Sequence, residues 1–436
     1  MSERSDSVLG LREVRAYLGA RLSSGLASSA LATVVGFQVY ILTGSPLALG
    51  LLGLVEAIPA ISLSLFGGHL ADRRDRRSIV LATTASLVAC GLALAAIAVE
   101  SGDPTVELVA ILAVIFVTGI SSGFSRPALS AFEAQVIPLE YAATGASWSS
   151  SVSQVGSIAG PALGGIAAAV FGVADTYLFI AILFAIEVGC IALIARKPMP
   201  EPVAEDIRES LTVGVRYVLS RQELVGSMAL DLFAVLFGGA VALLPIFATD
   251  ILHVGPAGLG VMRTAPSVGA LLVMLVATRR PPLQRAGGTL LACVTGFGVS
   301  ILVFAVSTNF LLSLTALFMS GVTDGISMVI RSVILRVMSP EEIRGRIAAV
   351  NWVFIGASNE LGAFESGIAA SVLGVVPSVV AGSLVTLGVV GVVAAVAPDL
   401  RRLDLRRYVS GEIVPTMSGV EPVALASAST GESPLG

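Results

Sequence analysis

The chain has 436 residues, of which 55% are hydrophobic and only 13% are charged, and its formal net charge is -4. A mean hydropathy of +0.91 excludes an ordinary soluble domain of this length. The apolar runs are continuous rather than alternating, which excludes an outer-membrane barrel and favours membrane-spanning helices of about 20 residues each. We therefore predict an all-α integral membrane protein.

Twelve membrane spans are predicted along the chain, at residues 22–43, 47–70, 79–99, 106–128, 144–170, 176–195, 226–249, 257–278, 288–306, 310–335, 347–372 and 377–397. Helical spacing of Ile207, Leu211 and Val215 predicts a surface helix between spans 6 and 7, and the composition of the tail predicts disorder. The predicted domains are an N-terminal segment (1–21), a six-helix half (22–196), a linker (197–225), a second six-helix half (226–400) and a tail (401–436).

The positive charges are distributed unevenly between the two membrane faces. Of the 26 Lys and Arg residues, all except Arg263 lie at the termini or at the even-numbered connections between spans. We call that face the arginine-rich side. The opposite, arginine-poor side has no Lys or Arg in its connections, which lie near residues 44, 103, 173, 253, 308 and 375. The positive-inside rule places the arginine-rich side, with both termini, in the cytoplasm.

Short sequence matches relate the two halves. Residues 45–50 at the start of span 2 resemble residues 255–260 at the start of span 8, and residues 138–140 resemble residues 340–342. Two such halves in the same orientation form the parallel repeat of alternating-access transporters, with a substrate site between the halves near the midplane. The same relation aligns Gly160, Ile166 and Ala167 with Gly362, Ile368 and Ala369.

The connection between spans 2 and 3 carries a dense charge motif, Gly68-x-Leu70-Ala71-Asp72-Arg73-x-Asp75-Arg76-Arg77. This motif resembles the signature of the major facilitator superfamily between the same two spans, with Asp75 where glycine is usual. With Asp75 in place of this glycine, and with its residues 42–45 and 359–362, the chain resembles the branch that includes enterobactin exporters and macrolide efflux proteins. The resemblance covers residues 20–400 and implies the major facilitator fold, with twelve helices in two pseudo-symmetric halves.

The charge motif is predicted to act as a conformational latch. Asp72 lies where a helix meets the cytoplasm and is suited to accept hydrogen bonds from the N-terminus of span 11 near Gly345, which the helix dipole favours. The arginines are expected to pair with acids across the interface between the halves. The alternative is that they only satisfy the positive-inside topology. The predicted latch residues are Gly68, Asp72, Arg73, Arg76 and Arg77.

A second motif lies in span 5 and consists of Gly156, Gly160, Pro161, Gly164 and Gly165. It resembles the pattern that accompanies antiporting exporters in the superfamily, and the resemblance therefore favours efflux over uptake. Glycines at this spacing form a smooth stripe on which another helix packs closely, and the proline bends the helix. Ordinary packing of small residues is the alternative explanation.

Ionisable side chains within the spans are expensive to bury and usually mark function or pairing. We predict that proton coupling involves Asp231, Asp324, Glu360 or Glu56, with Arg263 or Arg331 nearby as charge partners. Asp324 and Arg331 are seven residues apart and share a helix face. Fixed ion pairs between helices are the alternative. The residues predicted to line the substrate cavity are Gln38, Tyr40, Trp148, Asn351, Trp352 and Glu365.

These features predict a secondary transporter of the inner (cytoplasmic) membrane, which exports a small amphipathic molecule of the drug or siderophore class in exchange for protons. No P-loop is present, so the energy is expected to come from gradients. No enzyme activity, cofactor, metal or nucleic-acid partner is predicted, and the protein is expected to be a monomer in the lipid bilayer. Two alternatives stay open: an uptake symporter or uniporter for a nutrient or lysophospholipid, and a non-transporting receptor or scaffold.

Overall fold

The structure is a computed structural model, which describes residues 8–100, 102–198, 215–238, 240–277, 284–340 and 343–409. The side chains of Trp352 and Glu360 lie outside this description, although both residues belong to a described helix. Residues 199–214, which include Ile207 and Leu211 of the predicted linker helix, and the tail beyond residue 409 are also outside it.

Twelve long helices dominate the described residues. They are α1 (Arg12–Thr43), α2 (Pro46–Arg73), α3 (Arg76–Val99), α4 (Pro104–Val136), α5 (Ala142–Phe171), α6 (Val173–Ala192), α7 (Gln222–Gly238), α8 (Gly255–Ala277), α9 (Ala286–Val306), α10 (Phe310–Met338), α11 (Arg344–Leu373) and α12 (Val375–Val396). Short helical segments cover Leu139–Tyr141, Ala240–Leu243, Leu244–Ile246, Phe247–Ile251, Pro398–Arg401 and Arg406–Val409.

The helices agree with the predicted spans in number and order. Within the described ranges, 11 helices are long and apolar enough to cross a membrane, and Leu361–Leu373 of α11 adds a shorter apolar stretch. Polar caps begin several of them: the Ser45 side chain accepts from the Ala48 N–H at the start of α2, and Asn309 accepts from the Leu312 N–H at the start of α10. The expectation of a twelve-helix fold is confirmed.

Two helices extend further than hydropathy predicts. α1 begins at Arg12 instead of residue 22, and α4 continues to Val136 instead of ending near residue 128. The added turns of α1 and α4 pack together, since the Tyr17 and Phe132 rings lie 6.3 Å apart in edge-to-face contact. The Tyr17 hydroxyl also donates to Glu133 over 2.9 Å. Tertiary packing, rather than lipid, therefore stabilises these ends.

The end of the seventh span is irregular where the sequence predicts a continuous helix. After Gly238 the chain forms a 3-10 turn, a short α-helical turn and a π-helical turn over Phe247–Ile251. Pro245 lies in this segment and has no N–H to donate, which interrupts the regular hydrogen-bond ladder. The Leu252 N–H then donates to the Phe247 carbonyl over 2.8 Å, five residues back.

Both halves are assembled in the same way. In the N-terminal half (α1–α6), α1 packs on α5, α2 on α4, and α3 on α6; in the C-terminal half (α7–α12), α7 packs on α11, α8 on α10, and α9 on α12. α5 and α11 each have 30 residues, and each ends at a glycine with positive φ, Gly172 at 87° and Gly374 at 89°. Only glycine adopts this backbone without strain. The predicted repeat is therefore visible in the fold.

Two pairs of helices carry most of the contact between the halves, α2 with α11 and α5 with α8. The largest buried apolar cluster also joins the halves, and it contains Val39 and Tyr40 of α1 with Phe247 and Leu259. These four residues all lie near the arginine-poor ends of their helices. The core that joins the halves is thus concentrated on the arginine-poor side.

Candidate substrate cavity and charge sites

A cavity of about 1270 Å³ lies between the two halves and is lined by residues of both. Its wall reaches the arginine-rich ends of the helices at Tyr17, Glu133 and Met274, and its inner part reaches Gly36 on α1. Most of the lining is apolar or small. The charged residues that line it are Arg21, Glu56, Arg126, Glu133, Asp231, Arg263 and Asp324.

The cavity is closed on the arginine-poor side by two glycine contacts between the halves. Gly367 of α11 meets Gly50 of α2 so closely that a Cβ on Gly367 would lie 2.8 Å from the Gly50 Cα. Likewise, a Cβ on Gly165 of α5 would lie 2.9 Å from the Cα of Gly260 on α8. The sequence repeat relates these two crossings to each other. A side chain at either one would separate the helices.

The glycine motif of α5 serves two neighbouring helices rather than one. A Cβ on Gly160 would lie 2.8 Å from the Leu26 carbonyl oxygen of α1, and one on Gly164 would lie 2.9 Å from the Ala30 Cβ. Pro161 and Gly165 instead contact Gly260 of α8. One face of α5 is thus fixed within its own half, while the next face forms the crossing between the halves.

A buried ion triad lies in the C-terminal half. Arg331 of α10 pairs with Asp231 of α7, and its Nη2 lies 3.4 Å from Oδ1 of Asp324, which lies about two turns earlier on the same face of α10. The Arg331 and Asp231 side chains are 13% and 14% exposed, whereas Asp324 is 43% exposed and faces the cavity. Pairing reduces the cost of burying these charges. The sequence predicted all three residues, and the structure brings them together.

Arg263, the other predicted charge partner, is placed differently. It lies on α8 and lines the cavity. Neither an ion pair nor a hydrogen bond joins its guanidinium to any residue in the described ranges, and its Nε is buried without a partner. The structure thus places Arg331, rather than Arg263, beside the predicted coupling acids Asp231 and Asp324.

Several residues predicted to line the cavity lie elsewhere. Tyr40 donates to Asp250 across the two halves, and Tyr177 donates to the Gln38 side-chain oxygen over 2.6 Å. These bonds hold Gln38 and Tyr40 at the closed end, below the cavity. Glu365 lines a separate small pocket. Trp148 is exposed and Asn351 is half-buried, and neither is part of the cavity wall that the structure describes.

Glu56 lines the cavity from the N-terminal half, as does Arg126, while the position of the Glu360 side chain is outside the described residues. The sequence interpretation overlooked a polar cluster at the arginine-rich end of the cavity. Glu133 accepts hydrogen bonds from Tyr17 and from Ser149, each over 2.9 Å. Its only sequence signal is the helical spacing from Arg126, since residue 133 lies beyond the predicted span.

The arginines of the charge motif make their described contacts within the N-terminal half. Arg76 donates to the carbonyls of Ala71 and Ala131 over 3.0 and 3.1 Å. Arg77 donates to the carbonyls of Ile191 and Ala192, the last residues of α6, over 3.3 and 2.9 Å. These arginines therefore cap carbonyls at helix ends, where a positive charge is favourable.

The acids of the same motif have separate roles in this conformation. Asp72 is 63% exposed, and its ion-pair partner is Arg76 at 3.7 Å. Asp75, the residue that replaces the usual glycine, caps α3: its carboxylate accepts from the Arg77 N–H over 3.1 Å and from the Ser78 hydroxyl over 2.7 Å. The substitution thus supplies a helix cap. In the described ranges, no cluster of three or more His, Cys, Asp or Glu is arranged to hold a metal.

The fold and the cavity between two repeated halves define a secondary transporter. The chain matches the model of the Major Facilitator Superfamily over residues 17–363, and it belongs to that superfamily. It is 27% identical over 335 residues to the enterobactin exporter EntS of Citrobacter koseri, covering 76% of this chain and 79% of that one. The EntS of Escherichia coli is 26% identical over 334 residues with the same coverage. The resemblance to the enterobactin-exporter branch is confirmed.

Solved structures share the fold at low sequence identity. A peptide transporter POT in complex with sulfate superimposes with a TM-score of 0.68 at 13% identity, over 90% of this chain and 96% of that one. The nucleoside transporter NupG gives 0.67 at 14% identity, over 89% of this chain and 100% of that one. A bacterial homologue of the human lysosomal transporter Spinster gives 0.67 at 12% identity, over 95% and 100% of the two chains.

Proposed function

We propose that this transporter is a proton-coupled antiporter that exports a small amphipathic molecule, of the drug or siderophore class, by alternating access. In this proposal the arginine-rich side faces the cytoplasm, as the positive-inside rule predicts. The conformation described is then open to the cytoplasm and closed to the outside. The observation that carries the proposal is the buried ion triad, whose two aspartates line a cavity that the two halves share.

Alternating access requires that each side of the cavity closes in turn. The two glycine crossings supply the outer closure, because Gly50, Gly165, Gly260 and Gly367 bring bare backbone into contact. Such contacts are held by short-range dispersion and need no desolvated charge, so they separate as a unit when the halves rock. The pseudo-symmetry of the two crossings is consistent with rocking of one half against the other about the cavity.

Proton coupling is proposed to occur at Asp324 and Asp231. Protonation of Asp324 removes one negative charge from the triad and leaves Arg331 paired with Asp231 alone. A neutral Asp324 is less costly to bury than a charged one, so its protonation weakens the preference of the triad for the open, hydrated cavity. Energy is sufficient, since a pH difference of about one unit supplies ~1.4 kcal/mol per proton, and about 100 mV of membrane potential adds ~2.3 kcal/mol. Glu56 is the second candidate on the opposite wall.

Export is favoured over uptake by two observations. The motif of α5 that accompanies antiporting exporters in the superfamily is complete, from Gly156 to Gly165. The two relatives named above are enterobactin exporters, and the cavity has the size and apolar lining that suit a bulky amphipathic molecule.

The test uses inverted membrane vesicles with an acidic interior and a panel of fluorescent apolar compounds and catechol siderophores. An exporter loads these vesicles, whereas a proton symporter that takes up its substrate empties them. Asp324→Asn and Asp231→Asn are expected to abolish the dependence of loading on the pH gradient. Glu140→Gln, in the exposed turn Leu139–Tyr141, is the control and keeps that dependence. Full coupling in both aspartate variants and in Glu56→Gln would contradict the proposal.

A further inference from the structure

At the inner end of the cavity, the charge of Arg263 is not balanced by any residue that the structure describes. Arg263 lies eight residues into α8, about 12 Å from the arginine-poor end of that helix. Its side chain crosses to the other half, where a Cβ on Gly36 of α1 would lie 3.5 Å from Nη2. Since α1 and α8 belong to different halves, this guanidinium lies at the inner end of the cavity, between them.

The surroundings of Arg263 contrast with those of the other arginines that line the cavity or pair with its acids. Arg331 is held between two aspartates, and Arg126 shares the opposite wall with Glu56. The buried Nε of Arg21 also lacks a hydrogen-bond partner, but Arg21 lies in the arginine-rich half of α1, toward the other end of the cavity. For Arg263, no described residue provides a carboxylate within ion-pair distance or an acceptor for a hydrogen bond.

A guanidinium is permanently charged and presents donors in a planar fork that matches carboxylate, sulfonate and phosphate groups. Burying such a charge inside a membrane protein without a counter-ion is unfavourable, and a bound anion removes that penalty. The volume of about 1270 Å³ far exceeds what an inorganic anion fills. The cavity is also lined by apolar residues of both halves, among them Val35, Leu52 and Ile301, which suit a hydrocarbon body.

We propose that Arg263 is the substrate-binding residue of the cavity and that the substrate is an amphipathic organic anion. Its anionic group pairs with the Arg263 guanidinium, and its apolar body fills the space toward the arginine-rich side. This inference deepens the proposed function and rests on it for the transport step, but binding at Arg263 does not require proton coupling. The Asp231–Arg331–Asp324 triad and Arg263 then have separate tasks, proton exchange and anion recognition.

Binding to the purified full-length protein tests the inference with matched probes that differ only in charge. Naphthoate is compared with naphthamide, and pyrenebutyrate with pyrenebutyramide, by calorimetry and by thermal shift in detergent. The wild type is expected to bind at least one carboxylate about tenfold or more tightly than its amide, because hydrogen bonds to charged groups are strong. Arg263→Gln is expected to lose this preference while its affinity for the amides is unchanged.

Two further variants serve as controls. Arg263→Lys keeps the charge and is expected to keep part of the preference. Arg126→Gln removes a cavity cation from the opposite wall and is expected to keep all of it. The inference is overturned if the wild type shows no preference for either carboxylate, which needs no variant to fold. It is also overturned if Arg263→Gln keeps the preference, or if Arg126→Gln loses it to the same extent.

The two proposals fail in different measurements. A carboxylate preference that depends on Arg263, without any response of transport to a pH gradient, supports the anion site and contradicts proton-coupled antiport. Loading of inverted vesicles that depends on Asp324, without a carboxylate preference in the binding assay, supports antiport and overturns the anion site.

Discussion

The two sides of the cavity are built from different chemistry. On the arginine-poor side the halves meet through bare glycine backbone, at Gly50 with Gly367 and at Gly165 with Gly260, and through the side-chain hydrogen bond between Tyr40 and Asp250. On the arginine-rich side the described contacts of the charge motif stay within the N-terminal half, where its arginines bind carbonyls at the ends of their own helices.

This difference indicates how each side is able to open. Close packing loses a quarter to a half of its attraction over a gap of about 0.5–1 Å, so small separations already weaken the glycine crossings strongly. Charges act over longer distances and are screened by water and salt. The arginine-poor closure therefore depends on shape, and the arginine-rich side depends on charges that are satisfied locally and are available to pair differently when the helix ends meet.

The largest effect is expected from adding a side chain at a glycine crossing. Gly367→Leu would overpack the contact with Gly50, at a cost of roughly 1–3 kcal/mol, and so favour the conformation that opens on the arginine-poor side. Transport is expected to fall about tenfold, since 1.4 kcal/mol corresponds to a factor of ten. A cysteine at the cavity position Leu52, in a protein without the native cysteines, is expected to react faster with an impermeant thiol reagent applied from that side.

Gly388→Leu is the matched control, because a Cβ at this α12 glycine would meet no atom within 4 Å. It is expected to leave both transport and labelling unchanged. Equal behaviour of the two leucine variants would contradict a closure based on helix contact.

A smaller effect is expected from the hydrogen bond between the halves. Tyr40→Phe removes the donor to Asp250, and an intramolecular hydrogen bond typically contributes about 0.5–1.5 kcal/mol. The variant is expected to increase labelling of the same cavity cysteine by about threefold to tenfold, less than Gly367→Leu. Tyr177→Phe removes a hydroxyl that donates within one half, to Gln38. It is expected to lower the melting temperature without a change in labelling. Similar labelling in both variants would contradict a role of the Tyr40–Asp250 hydrogen bond in closing the arginine-poor side.

The smallest effect is expected at the charge motif, where Asp72 and Asp75 give a matched pair. Asp72 is exposed and its ion pair contributes little stability, so Asp72→Asn is expected to leave the melting temperature unchanged. If the latch forms when the arginine-rich ends meet, transport falls by about twofold to fivefold, the effect of ~0.4–1 kcal/mol. Asp75→Ala removes the cap of α3 and is expected to cost about 1 kcal/mol of stability with transport retained. Unchanged transport in Asp72→Asn would eliminate the latch.

Much of the candidate site was predictable because charge inside a membrane is rare and expensive. That rule alone selected Asp231, Asp324 and Arg331, and helical spacing placed the last two on one face of α10. It did not reveal that Asp231 completes the triad, because this requires the packing of α7 near α10. The same rule named both Arg263 and Arg331 as charge partners, and it did not distinguish them, because the cost of burial does not specify which cation an acid meets.

The polar contacts that the sequence interpretation overlooked join residues that are distant along the chain. Tyr17 and Glu133 are separated by 116 positions, and Tyr40 and Asp250 by 210. Neither pair follows a local periodicity, so neither is visible before the helices are arranged in space. The mistaken assignment of Gln38 and Tyr40 to the cavity has the same origin, since their partners Tyr177 and Asp250 are also distant along the chain.

The sequence by itself determined the class of protein, the number and order of the spans and the repeat between the halves. The reason is that each span is constrained locally. A helix in a bilayer must satisfy its own backbone hydrogen bonds, which requires a long apolar run, and the positive-inside rule restricts where arginines lie. Only the tertiary structure decided which side of the cavity is closed, which glycines touch and which arginine lies between two aspartates. Those properties depend on how two six-helix halves face each other, and no single span contains that information.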